Sequence, residues 1–323
     1  MTWIEAPKSS DPIELAHYVE TELLVSGEEY LSIAEIRDGW TSGQAPSEDE
    51  FDFAFTEIDR RARDIGKHYP FFTVDNGVGF DSAGGSDLYS FLTLLSLRET
   101  PLRLAKDYPR SDPLFDAVVR EAVKAALGPR AHALVFGWPP RGDRPSEFPK
   151  AVEWLAQKLG VGLRSHEAYS ESLDGGVDIV GWAPFPDGQI AFPIVLAQNT
   201  IQRAFVKKPR DVIPEDWREW IRIKADPMVG FAVPFFMRPK DPWWERAGTN
   251  VTYLWDRGRL VHELRQVDPT SWSEWPDLQA FVQEEVTGLR ASTEATKPVD
   301  ALPRSRKDRV IPPPIPKDIR AEP

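Results

Sequence analysis

Apolar residues recur along most of this chain at helical spacing, and in a few places they run together instead. After Asp11-Pro12, an N-cap with proline in the first turn, Leu15, Tyr18, Val19, Leu23 and Leu24 mark one helical face until Gly27 stops it. Ser32 to Trp40 predicts a short second helix. Ser47-Glu48-Asp49-Glu50 opens a third, with Phe51, Phe55, Ile58 and Ala62 on its apolar side. From His68 to Gly85 the pattern lapses into loop or short strand, and Ser86 to Arg98 predicts an apolar helix. Asp112-Pro113 starts a helix over 112–127 that buries Phe115, Val118, Val119, Ala122 and Val123 before Gly128 ends it, and another helix covers 147–159.

The period then changes. Val177 to Trp182 and Ile194 to Ala197 read as neighbouring strands joined through a turn rich in proline and glycine, which brings Asp178 and Gln198 to one end of a sheet. Met228 to Met237 is a continuous apolar stretch in which Pro227 and Pro234 bracket a predicted buried strand. Val251 to Trp255 predicts a further strand, Arg259 to Leu264 a strand or a helix, and about 274–290 the last helix. The fold class expected is α/β (α+β): a helical N-terminal region over 1–110, then a mixed sheet flanked by helices over 111–290. The Pro/Arg-rich tail, 291–323, has too few large apolar residues to bury itself and is expected to be extended or disordered, as a basic arm or a solubilising linker.

Composition narrows the function classes. No apolar run approaches the ~18 residues of a membrane span, and the N-terminus lacks the regions of a signal peptide, so no membrane partner and a cytoplasmic location are expected. With no cysteine there is no disulfide and no thiolate chemistry. A net charge of −12 argues against a protein that coats nucleic acid nonspecifically. It leaves open an enzyme that gathers acids at a metal and confines its cations to a groove. No Walker A, GxGxxG or HExxH sequence is present, and the five histidines are scattered. Asp81-Ser82-Ala83-Gly84-Gly85 invites comparison with a serine-protease nucleophile loop, but Phe80 stands where glycine belongs and a plain turn is expected. Arg257 and Arg259 are read as structural ion-pair partners before phosphate contacts.

The stretch Asp174-Gly175-Gly176-Val177-Asp178, followed twenty residues later by Gln198 and then by lysines, resembles the active-site hairpin of the PD-(D/E)xK (restriction-endonuclease-like) nuclease superfamily, in a branch with glutamine for the second acid. Phe115-Asp116 with Leu127-Gly128 is similar to the first core helix of that family. Glu153, on the helix ending at Leu159-Gly160, is the rival acid. A solvated helix carboxylate is the plain alternative for each. The resemblance implies a deoxyribonuclease dependent on Mg²⁺ or Mn²⁺, with metal ligands Asp178, Gln198, the Asn199 carbonyl and Asp116 or Glu153, acting on DNA in bacterial anti-phage defence or restriction. One departure matters. The family lysine belongs two residues after the glutamine, where this chain has Thr200, so the role falls to Lys208, to Lys207 or to neither. A helix over Ile201 to Phe205 would carry Lys208 back over Asp178, with Lys207 about 100° away. The competing expectation is a catalytically degenerate subunit that binds nucleic acid or scaffolds a defence complex. Homo-oligomer formation stays open.

Overall fold

The computed structural model describes residues 6–7, 10–41, 43–81, 87–97, 111–164, 173–203, 205, 208–237, 244–246 and 251–295. The loop 82–86, Lys207 and the tail beyond 295 lie outside the described residues. The chain forms two compact units, one of Met1–Asp107 with Trp275–Pro323, the other Tyr108–Glu274. Among the described residues no helix is long and apolar enough to cross a membrane.

In the first unit the helices begin where their caps dictate. Asp11 accepts from the N–H groups of Ile13 and Glu14 at the start of α1 (Pro12–Ser26), and reciprocal capping boxes, Ser32 with Glu35 and Ser47 with Glu50, open α2 (Ile33–Asp38) and α3 (Glu48–Ile65). The helical region expected here also holds a three-stranded antiparallel sheet, two of whose strands lie in the stretch from His68 to Gly85 that reads as loop or short strand. Its strands are β1 (Tyr30–Ser32), β2 (Phe71–Val74) and β3 (Gly77–Phe80), in the order β1-β3-β2. These strands are three or four residues long and carry Gly77 and Gly79, so they leave no alternation for sequence reading to find. α4 (Asp87–Leu95) follows, and the last helix, Trp275–Ala295, belongs to this unit and not to the core where it was expected. It packs Phe281 edge-on to Phe91 at 5.5 Å, and Arg290 donates to the Val25 carbonyl at 3.0 Å.

Beneath these helices lies a fully buried ion pair, with Arg61 Nη1 donating to Glu20 Oε1 at 2.9 Å and the Tyr69 hydroxyl donating to the same oxygen. Arg61 Nε also meets Glu57 at 2.8 Å. Removing one partner strands the other charge away from water.

The second unit is a three-layer arrangement. Its sheet, in spatial order, comprises β4 (His132–Val135), β5 (Ile179–Trp182), β6 (Ile194–Asn199), β7 (Met228–Ala232) and β8 (Tyr253–Trp255). β4, β5 and β6 form an antiparallel meander, whereas β6–β7 and β7–β8 pair in parallel. On one face lies α5 (Ser111–Leu127), backed by α8 (Arg257–Leu264). On the other, α6 (Phe148–Leu159) and α7 (Pro214–Trp220) bury Phe148, Leu155, Trp217 and Trp220 against Val180, Trp182, Ile194 and Leu196. Alternation therefore fixes which side chain sees which helix: Ile194 and Leu196 face α6 and α7, Val195 and Ala197 face α5. Arg257, 1% exposed, donates to the Pro234 carbonyl at 2.9 Å, and Arg259 donates to the Leu254 carbonyl. Both hold backbone carbonyls within this unit.

The buried pair gives a direct test. Arg61→Met should lower unfolding stability by about 3–5 kcal/mol, because Glu20 is left charged in the core. Urea titration monitored by circular dichroism measures it, and a loss below about 1 kcal/mol would show that the pair does not hold the unit.

Candidate functional site

The site is built at the end of the sheet where β5 begins and β6 finishes. Asp178 stands one residue before β5. Its own N–H donates to the Ala197 carbonyl at 2.9 Å, while its carbonyl accepts from both Phe136 and Gly137 at 2.6 and 3.0 Å. Two donors on one carbonyl mark a bulge-like break that turns the side chain away from regular pairing. Gly137 is required there, since a Cβ on it would come within 2.8 Å of Asp178 Oδ1. On the approach, Gly176 has φ +75° and lies so close to the Asp211 carbonyl that no side chain fits.

Asn199 ties this end together. Its backbone N–H donates to Asp178 Oδ2 at 2.8 Å and its side-chain Nδ2 donates to Asp116 Oδ1 at 2.8 Å. Asp116 reaches it from α5 because Asn199 shares the strand face of Val195 and Ala197. Arg141 closes the other side, donating from Nη1 to Asp116 Oδ2 at 2.6 Å. Asn199, expected as a carbonyl ligand, also bridges this end of the sheet, its two donors holding two carboxylates.

Electrostatics follow from this packing. Burial pushes the Asp178 carboxyl up to about 7, with the carboxylates of Asp116 and Asp174 adding to the rise, while the Asn199 N–H and the positive charge of Lys208 oppose it. Asp116 is also raised, by burial first, against the pull of Asn199 and Arg141. Buried Asp116 and half-buried Asp178 share one neighbourhood, and the charge of Asp116 makes Asp178 harder to ionise.

Of the remaining expected residues, Gln198 faces the α6 and α7 side with Leu196. It is 8% exposed, and its Oε1 has no hydrogen-bond partner among the described residues. Glu153 is exposed, on the side of α6 away from its buried stripe of Ala151, Val152 and Leu155, and takes no part. Of the two helix acids, Asp116 is the one bonded to Asn199 and placed beside Asp178. Thr200 is buried and bonds to the Ala232 carbonyl through its N–H and to the Gln202 N–H through its hydroxyl, so no cation stands two residues after Gln198. Lys208 lies within electrostatic range of Asp178, but not by way of the expected helix. The described residues between 201 and 205 are non-helical, and a single tight turn, Lys208–Arg210, begins after Phe205. Pro209 disfavours a helix through that point, and Phe205 is drawn across β7 to stack on Phe231 at 5.7 Å.

Among the described residues no group of three or more His, Asp or Glu is placed to hold a metal ion on its own. The donor chemistry nevertheless fits a hard cation. Asp178 Oδ1 and Gln198 Oε1 accept no hydrogen bond from the described residues and belong to facing ends of adjoining strands. Mg²⁺ takes one or two protein oxygens and fills its sphere with water and substrate phosphate. Asp116 is already held by two donors.

Sequence reasoning missed Arg141. It sits in the non-periodic loop Trp138-Pro139-Pro140-Arg141, and no spacing links it to Asp116. Alternation from Ala197 was signal enough to set Asn199, and not Gln198, against α5.

The raised Asp178 carboxyl has a pH signature in metal-free protein. A carboxyl moved from 3.8 to about 7 on folding binds more protons in the native than in the unfolded state, so its cost to stability grows as pH rises between those values. Asp178→Asn, which keeps an acceptor for the Asn199 N–H, should leave stability near pH ~4 unchanged and raise it by roughly 2–4 kcal/mol near pH ~8. Urea midpoints across that range in EDTA measure the difference, and parallel profiles for variant and parent would show an ordinary carboxylate. No family model, no curated protein and no solved structure matches this chain, so the geometry at the sheet end carries the functional argument.

Proposed function

We propose that the second unit is a metal-dependent nuclease that hydrolyses DNA phosphodiester bonds, and that its role is in anti-phage defence or restriction. The observation that carries the reading is the gathering of Asp178, Asn199, Asp116 and the charge of Lys208 at the end of the sheet where an antiparallel meander meets parallel strands. A bound Mg²⁺ or Mn²⁺ would lower the pKa of a water and offset charge on the scissile phosphate.

The chain's own residues do the rest. Asp178 offers Oδ1 as a ligand while Asn199 fixes Oδ2, and Gln198 offers its amide oxygen. Asn199 and Arg141 hold Asp116 in place, and Arg141 offsets its charge so that the two acids tolerate one another. Lys208 supplies positive charge on the side of the attacking water, where it stabilises negative charge developing on the phosphate.

A second reading has its own support. Thr200 in place of the lysine and the ion pair that occupies Asp116 both suit a nuclease fold turned to binding or scaffolding. Nicking of supercoiled plasmid by purified protein separates the two, with and without Mg²⁺ or Mn²⁺. The nuclease reading expects cleavage that Asp178→Asn abolishes and Lys208→Ala lowers by about 10²–10³-fold, with Lys207→Ala weakening only salt-sensitive binding. Metal-dependent cleavage that survives Asp178→Asn unchanged would reject this site, and no cleavage under any divalent cation would put the scaffold reading ahead.

A further inference from the structure

Three loops meet at Asp178. Gly137, on the first, packs directly on its side chain and Cα. The second runs from Leu173 through Gly176 into Asp178 itself and is tied to the first by Arg144 Nη2, which donates to the Leu173 carbonyl at 2.8 Å. The third, from Lys208 to Ile213, presses the Asp211 carbonyl onto Gly176. Each loop carries a large apolar side chain that faces water: Trp138 is 43% exposed, Leu173 54% and Ile213 46%. Among the described residues elsewhere in this unit the one other such residue, Phe185, has the Arg130 guanidinium 4.5 Å above its ring. The Trp138 indole stacks on no other ring among the described residues. Exposed apolar surface of this kind, collected around one polar centre, marks a place where something binds.

The same loops carry cations. Arg141 follows Trp138 by three residues, and Lys208 and the exposed Arg210 precede Ile213 on the third loop. An exposed indole with aliphatic side chains and positive charge on the neighbouring loops suits a polymer that has both bare bases and phosphates. A duplex does not meet that description, since its bases are stacked and its outer surface is phosphate and sugar. An unpaired strand does.

We propose that the rim of this site is a platform for an unpaired nucleotide, with Trp138 stacking on a base while Lys208 and Arg210 meet the strand's phosphates. The proposal rests on the nuclease reading for the polymer's identity, and it extends that reading to the substrate's form: single-stranded or locally opened nucleic acid.

Fluorescence anisotropy in EDTA, where no metal-dependent cleavage occurs, tests binding apart from catalysis. The probes are a labelled single strand of about 16 nucleotides, as DNA and as RNA, and the matching DNA duplex. Parent protein should bind a single strand more tightly than the duplex. Trp138→Ala should weaken single-strand binding about tenfold or more and duplex binding little, whereas Trp138→Phe should keep most of the affinity. Arg210→Ala should reduce the salt slope of binding by about one phosphate contact. Whichever single strand, DNA or RNA, shows the Trp138 dependence is the substrate's source. Equal binding by parent and Trp138→Ala, or equal losses on duplex and single strand, would overturn the platform. Plasmid nicking that persists alongside that result would leave the nuclease reading standing, while a Trp138 effect without nicking would leave only the platform.

Discussion

A carboxylate placed where it is reluctant to ionise organises the second unit. Asp178 is half-buried with Asp116 and Asp174 nearby, and its proton affinity is raised to about 7 as a result. The arrangement persists because opposing groups alternate around it. Arg141 neutralises Asp116, Asn199 bridges Asp116 to Asp178 with two neutral donors, and Lys208 acts on Asp178 from the third loop. A lysine in the place of Asn199 would neutralise the pair outright and remove any demand for a further cation. The amide holds geometry without quenching charge, so one Asp178 oxygen is left with acceptor capacity and a deficit of positive charge around it. That is a favourable setting for a divalent ion.

The sheet supplies the precision that this balance needs. Consecutive residues Gln198 and Asn199 point to opposite faces, so one strand end presents an amide oxygen on the α6 side and an amide donor on the α5 side. The doubled hydrogen bond to the Asp178 carbonyl ends the regular pairing of β4 with β5 at this residue. Gly137 and Gly176 let two neighbouring segments close over the break at backbone distance. Strands therefore fix the acids, and loops bring the cations and the exposed apolar groups.

What could be read from sequence divides along the same line. Helices with explicit caps, such as Asp11-Pro12 and the Ser47 to Glu50 box, were legible because local chemistry alone sets their starts. β5 and β6 were legible because both their faces are covered and their residues are apolar without a break. β4, whose short apolar run is closed at once by Gly137, was not, nor was β1, while β2 and β3 fell in a stretch read only as loop or short strand. Asp178 stood out as an acid at the head of an apolar strand and Asp116 as an acid beside a buried helical stripe. Arg141 could not stand out: its partner is 25 residues away, and only tertiary folding decides which arginine of a proline-rich loop reaches it. Lys208 comes within electrostatic range of Asp178 by another route than the helix expected, because Pro209 and the pull of Phe205 toward Phe231 override the local pattern after β6.

The acidic character of the chain then bears on how its site would hold a polyanion. With a net charge of −12, long-range attraction to a phosphate backbone is weak, and a handful of cations near Asp178 must work against the field of the whole. Affinity drawn from counterion release scales with the number of phosphates neutralised, so a site with few cations gains little that way. Stacking has no such dependence: an indole face is as attractive to a base on an acidic protein as on a basic one. An acidic body with an apolar rim about its buried carboxylates thus favours a ligand whose bases are free over one that offers phosphate alone. In the nuclease reading this makes selectivity a consequence of weak electrostatics, since duplex DNA, abundant and highly charged, would find little on this surface to hold it.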